Sequence, residues 1–169
     1  MMERKGAGPR KREYFEVSKK IILQEISGDK IIATLDTEQY FVLDTVNILY
    51  QVNQNFDIQY ILGLLNSKLI NFWYGAQFKG IHVKLNELKQ IPIKNISKQN
   101  QNKISKLVEE ILQLNRKLLG IKNKTTDEKA RLEKEIRKVD DEIDQEVYKI
   151  YGITKEEQKI IEDSLNNKK

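Results

Sequence analysis

A chain of 169 residues and 19.9 kDa with no cysteine cannot carry disulfides, thiolate nucleophiles or cysteine-based metal centres. A single histidine, His82, excludes a histidine metal cluster, and no apolar run nears the ~20 residues a membrane helix needs, so the chain reads as soluble and cytoplasmic. The net charge of +5 is unevenly spread, with seven lysines against one acid over residues 79–106 and thirteen acids against eight bases over residues 127–163, so a polyanion would meet the front of the molecule and not its tail.

Residues 1–12 form a basic lead without the apolar stretch of a signal peptide, and are expected to be flexible. Val17 to Ile26 and Lys30 to Leu35 are rich in isoleucine and flank Ser27-Gly28-Asp29, which predicts a β-hairpin. Tyr40 to Tyr50 is β-branched and aromatic, which predicts one or two further strands with a kink near Asp44-Thr45. From Asp57, a suitable N-cap, Ile58, Ile61, Leu62, Leu65, Leu69 and Phe72 recur at helical spacing and predict one helix over 57–73. Gly63 inside that stripe invites close approach by another element. Residues 74–95 hold Gly75, Gly80 and Pro92 and read as irregular.

The clearest periodicity follows. Ile104, Leu107, Ile111, Leu114, Leu118 and Ile121 form one heptad seam, and Leu132, Ile136, Val139, Ile143, Val147 and Ile150 form a second. The short connection, marked by Gly120, Asn123 and a capping box of Thr125 with Glu128, predicts an antiparallel helical hairpin with an internal seam. Gly152 ends the second arm, and Thr154 with Glu157 caps a last short helix. The expected organisation is α+β: a mixed sheet-plus-helix domain over 13–95, a helical hairpin spacer over 98–151 and a terminal helix over 154–166.

Several chemistries lack their residues. There is no Pro-Pro loop of an amino-methyltransferase, no G-x-G-x-x-G or Walker loop, and no Gly-x-Ser-x-Gly elbow. Glu87-Leu88-Lys89 has the letters of a metal-dependent nuclease but no strand-borne aspartate partner in the sequence. No cofactor or metal is expected.

Four stretches together resemble the target-recognition domains of restriction–modification proteins. They are Tyr60-Ile-Leu-Gly-Leu-Leu-Asn-Ser-Lys-Leu69 followed by Phe72-Trp73-Tyr74, then Leu88-Lys-Gln-Ile-Pro-Ile93, then Ile104 to Leu119, and then Ile143 to Glu157 with its tyrosine–glycine pair before a Thr-x-x-Glu cap. The closest likeness is to the C-terminal specificity domain of TaqI-like adenine methyltransferases and fused type IIG enzymes, over about residues 19–163. The resemblance implies a small DNA-reading domain followed by a helical spacer. It implies sequence-specific recognition of double-stranded DNA, without catalysis, for a methyltransferase or endonuclease domain or partner. Such a chain is a fragment or a stand-alone subunit, and a single recognition unit could pair as a homodimer. The rival expectation is an assembly module whose hairpin mediates oligomerisation and whose basic surface is incidental.

Charge and loop position select the candidate DNA contacts. Lys79, Lys84, Lys89 and Lys94 lie in the irregular, acid-poor stretch and suit phosphates. Gln77 and His82 between them carry the donors and acceptors for base edges. Lys68 is added from the Asn66-Ser67-Lys68 polar face. The turns near 27–30 and 36–39 are alternative contact regions.

Overall fold

The computed structural model describes residues 11–28, 30–50, 53–121 and 127–167. After a 3₁₀ turn at Arg12–Tyr14, three short strands follow: β1 (Lys20–Gln24), β2 (Ala33–Asp36) and β3 (Val46–Leu49). Their order is β2-β1-β3, with both outer strands antiparallel to β1. The register sets Ile21 opposite Leu35 and Leu49, and Leu23 opposite Ala33 and Asn47, so one face is apolar except for the Asn47 amide. The hairpin is present, but its strands are shorter than the isoleucine runs: Ile26 and Ile32 lie outside β1 and β2 and are exposed.

Only Val46–Leu49 of the 40–50 region is a strand. β2 and β3 run parallel on either side of β1, so residues 37–45 must return along the sheet. Beneath that return the Lys20 ammonium pairs with Asp36, both fully buried, and also donates to the Phe15 carbonyl at 2.8 Å. The Asp36 carboxylate accepts from the N–H groups of Glu38 and Tyr40 at 2.8 and 3.0 Å. Burial works to raise its pKa, but the Lys20 and backbone hydrogen bonds hold it below the usual carboxylate range. Phe41 stacks on Phe15 at 4.8 Å and ties the return to the N-terminal segment.

The apolar stripe from Asp57 onward makes two helices instead of one: α1 (Ile58–Asn66) and α2 (Lys68–Gln77). Asp57 caps the first by accepting from Gln59 N–H at 2.9 Å. Ser67 breaks the run in an extended conformation. Its N–H donates to Leu64 C=O as a C-cap, and its hydroxyl accepts from Ile70 N–H as the N-cap of α2. Asn66 and Asn71, on either side, turn back on the sheet. The Asn66 amide exchanges two hydrogen bonds with the backbone of Ala33, and Asn71 Oδ1 accepts from Ile31 N–H at 2.7 Å. These amides occupy backbone groups on the outer edge of β2 that would otherwise be open for pairing.

The 74–95 stretch is only partly irregular, since α2 reaches Gln77 and a single turn, α3, spans Leu85–Leu88. Then come α4 (Lys98–Gly120), α5 (Asp127–Tyr151) and α6 (Lys155–Asn166). The first two form the helical hairpin, with Ile104, Leu114, Leu132, Val139, Ile143 and Val147 buried along the seam. Thr125 and Asn123 lie outside the described residues. The cap of α6 is as expected: Thr154 Oγ1 accepts from Glu157 N–H at 3.2 Å, and the Glu157 carboxylate accepts from Thr154 N–H at 2.7 Å.

Helix α1 lies between the sheet and α4, and Gly63 is the contact point. A Cβ there would meet Ile104 Cγ2 at 2.5 Å and Val108 Cγ2 at 3.0 Å. One apolar core therefore runs from Ile21 and Leu23 through Leu62 and Leu65 to Ile104, Ile143 and Val147.

Candidate nucleic-acid interface

The basic stretch after α2 is an arch pinned at both ends. At its start Phe78 packs edge-on to Trp73 and tilted against Tyr74, with ring centroids at 5.9 and 5.1 Å. At its end Val83 is fully buried. Its N–H donates to Glu25 C=O at 2.7 Å, and its own C=O accepts from the Asn47 amide at 2.8 Å. Lys79, Gly80, Ile81 and His82 between these anchors are exposed. The arch also pairs with the chain leaving β1. Ser27 and Gly28 N–H both donate to Ile81 C=O, and Ile26 bridges His82 in antiparallel register. Ser27 and Gly28 of the expected turn thus share one surface with the 79–84 loop, and Asp29 of that turn lies outside the described residues.

Lys84 follows the arch at the mouth of α3. Its ammonium is 3.7 Å from Glu87. That carboxylate also accepts from Lys84 N–H at 3.2 Å and from the Tyr74 hydroxyl at 2.6 Å. Burial and the neighbouring Glu87 charge push the Tyr74 hydroxyl pKa up, so Tyr74 stays a donor. Glu87 therefore ties α2 to α3, and among the described residues no group of three His, Asp or Glu side chains is placed to hold a metal ion. Lys89 is exposed just past α3, and Gln77 is exposed at the end of α2. An open groove of about 630 Å³ flanks the arch, bordered by Phe72, Ala76, Lys79 and Ile81.

Two of the selected lysines are engaged elsewhere. The Lys94 ammonium donates to Ile150 C=O at 2.7 Å, at the C-terminal end of α5, where a cation is favourable. Its N–H donates to the Tyr151 hydroxyl, which donates to Pro92 C=O, so the Ile-Pro-Ile turn is fastened to α5. Lys68 lies at the start of α2 and faces Asp141 at 2.8 Å, Asp144 at 3.0 Å and Glu162 at 4.0 Å. Burial acts to lower the Lys68 pKa, but the two aspartates outweigh it and hold the ammonium more firmly protonated than a free lysine. Asp144 is buried, which pushes its carboxyl up to about 6 despite Lys68, with the Asp140 charge adding to the rise. Its Oδ1 also accepts from Lys68 N–H at 2.8 Å, so it caps α2 across the interface with α5.

Lys79, Lys84 and His82 therefore share one surface with Lys30, Ile26 and Ser27, whereas Lys68 and Lys94 clamp α5 to the front of the molecule. The sequence carried no signal for Ile26 as a neighbour of His82, because the pairing joins segments more than fifty residues apart.

A family model described as the TaqI-like C-terminal specificity domain matches residues 1–93, more than half of the chain. The chain belongs to that family. In this TaqI-like domain the match runs from the N-terminal residues through the sheet, α1, α2 and α3 and ends after the Ile-Pro-Ile turn. A solved structure, "Type IIL restriction-modification enzyme MmeI in complex with DNA", is similar in fold, with a TM-score of 0.60 at 16% identity. That similarity covers 81% of the TaqI-like chain and 19% of the MmeI chain. No curated protein matches. No helix among the described residues is long and apolar enough to cross a membrane.

Proposed function

We propose that this chain is the DNA-reading module of a restriction–modification system. It recognises a specific sequence in double-stranded DNA and directs a cytoplasmic methyltransferase or endonuclease, fused or separate, without catalysing a reaction itself. Membership of a specificity-domain family carries the reading. The pinned basic arch supports it, because a rigid loop with exposed Lys79, Lys84 and His82 offers phosphate and base donors at little ordering cost. Lys89 extends the same basic path. Lys68 and Lys94 are left out of the contact set, since their ammonium groups are held within hydrogen-bond distance inside the fold, whereas Lys84 meets Glu87 only at 3.7 Å and stays 63% exposed.

Duplex binding by the full chain, measured over a range of salt concentrations, tests this. Each phosphate contact adds about 0.9 to the slope of log affinity against log salt. Lys79→Ala with Lys84→Ala should weaken binding to all duplexes alike and lower that slope by about two. A slope that stays the same in the double variant would move the DNA face elsewhere. No duplex binding at low salt would favour the assembly module instead.

A further inference from the structure

The pairing of Ile26 with His82 has the form of a reading element. Val83 N–H donates to Glu25 C=O and Ser27 N–H donates to Ile81 C=O, so Ile26 and His82 sit between two ladder bonds as a directly opposed, non-hydrogen-bonded pair. Such pairs bring their side chains to one face at the closest spacing a ladder allows, with Cβ atoms ~4.5–5.5 Å apart. Ile26 is 46% exposed, and the His82 side chain is also 46% exposed. A large aliphatic side chain half exposed beside an imidazole, with Lys79 and Lys84 lining the same hollow as that imidazole, suits a partner that is anionic outside and apolar in one spot. The Nδ1 of His82 is 3.8 Å from Glu25 Oε1, so Nε2 is the ring nitrogen that does not face the carboxylate.

We propose that the two-stranded ribbon of residues 25–28 and 81–83 enters the major groove of the target duplex, with Ile26 against a thymine methyl group and His82 Nε2 bonded to the edge of an adjacent base. This rests on the DNA-reading function proposed above and names which groups read. The major groove is ~12 Å wide and admits a two-stranded ribbon, whereas the minor groove is ~6 Å wide and carries no thymine methyl. The spacing of the pair is about one and a half base steps of ~3.4 Å, so the two side chains reach neighbouring base pairs. Lys79 and Lys84, at either end of the arch, are placed to meet the flanking phosphates. Gly28, with φ of +72°, turns the chain away at the tip without a side chain that would collide with the groove wall.

The test is selection from a randomised duplex pool by the full chain, repeated with Ile26→Ala and with His82→Ala. Wild type should enrich a motif with at least one fixed thymine. Uracil at that thymine, which removes only the methyl group, should weaken wild-type binding about fourfold. Ile26→Ala should bind the thymine and uracil duplexes equally, and His82→Ala should lose preference at the adjacent position. Both positions are exposed, and matching melting temperatures verify folding. If the variants enrich the wild-type motif and Ile26→Ala keeps the uracil discrimination, the ribbon does not read the base pair, while salt-dependent binding through Lys79 and Lys84 leaves the DNA-reading function standing. Binding without any enriched motif also overturns the assignment. No duplex binding by wild type overturns both proposals. Loss of affinity for a protein partner in Ile26→Ala, with an unchanged DNA motif, gives the ribbon to that partner and overturns the assignment as well.

Discussion

Gly63 shows how much one missing methyl group decides. In an open helix, alanine is better than glycine by ~1 kcal/mol. Here the methyl would sit 2.5 Å from Ile104 Cγ2, and Ile104 is fully buried. Overpacking of this kind costs ~1–3 kcal/mol, so Gly63→Ala should be net destabilising in denaturant titration. Gly120→Ala, with nothing within 4 Å of its Cβ, should be neutral or stabilising by up to ~1 kcal/mol. A stable Gly63→Ala would mean that α1 and α4 are not in contact there. Asp144 sets a second expectation. Its carboxyl stands at about 6 in the folded chain, against 3.8 for the free side chain. The folded state therefore holds a proton the unfolded state has released, and this group's contribution is fully present below about 3.8 and lost as pH rises through about 6. The whole effect is at most ~3 kcal/mol. Asp36 works in the opposite sense, its contribution being present above its free value and lost on acidification. Asp144→Asn isolates the first effect: the variant should gain stability relative to wild type between pH 4 and 6. Parallel melting-temperature profiles over that range would show that Asp144 does not titrate there.

At the scale of elements, what was legible was local. The α4 and α5 seams, the Thr154–Glu157 cap and the Asp57 cap are patterns written within one helix, and all three are present. The break at Ser67 was hidden, because the apolar stripe continues across it and predicts a single helix. Only the asparagines beside it, bonded to residues 31 and 33, show why the chain stops and restarts there. The 37–45 return was hidden too, since β-branched and aromatic residues suit a strand, whereas here Phe41 stacks on Phe15 and Tyr40 binds Asp36. Exposure of Lys79 and Lys84 followed from charge alone. The engagement of Lys68 and Lys94 did not, since their partners are more than fifty residues away. For the hairpin, Leu114 is the sensitive position, buried where α4 meets α5. Leu114→Asp would bury an unpaired carboxylate and should lose several kcal/mol. Lys117→Asp, on the exposed side of the same helix, should change stability by less than ~0.5 kcal/mol. An unchanged melting temperature in Leu114→Asp, with a dimer converted to a monomer, would place the seam between chains.

At the scale of the molecule, the family match stops at residue 93 but the core does not. Leu62 and Gly63 in α1 meet α4, Lys68 in α2 is clamped by Asp141 and Asp144 in α5, and the Ile-Pro-Ile turn hangs on Tyr151. Without the hairpin, the α1 face that receives Ile104 and Val108 would be open to water, and Lys68 would lose its two nearest carboxylates. The hairpin is therefore part of what holds the front of the molecule in shape. Unfolding should then be a single cooperative event. The chain itself supplies the probes. Its one tryptophan, Trp73, lies in α2 and reports the front of the molecule, while α4 and α5 supply most of the helical circular dichroism. Tryptophan fluorescence and far-ultraviolet ellipticity should trace the same denaturant midpoint and slope. Separate midpoints, with the helical signal persisting after Trp73 is exposed, would mean that the hairpin folds as its own unit and that the Gly63 contact adds little.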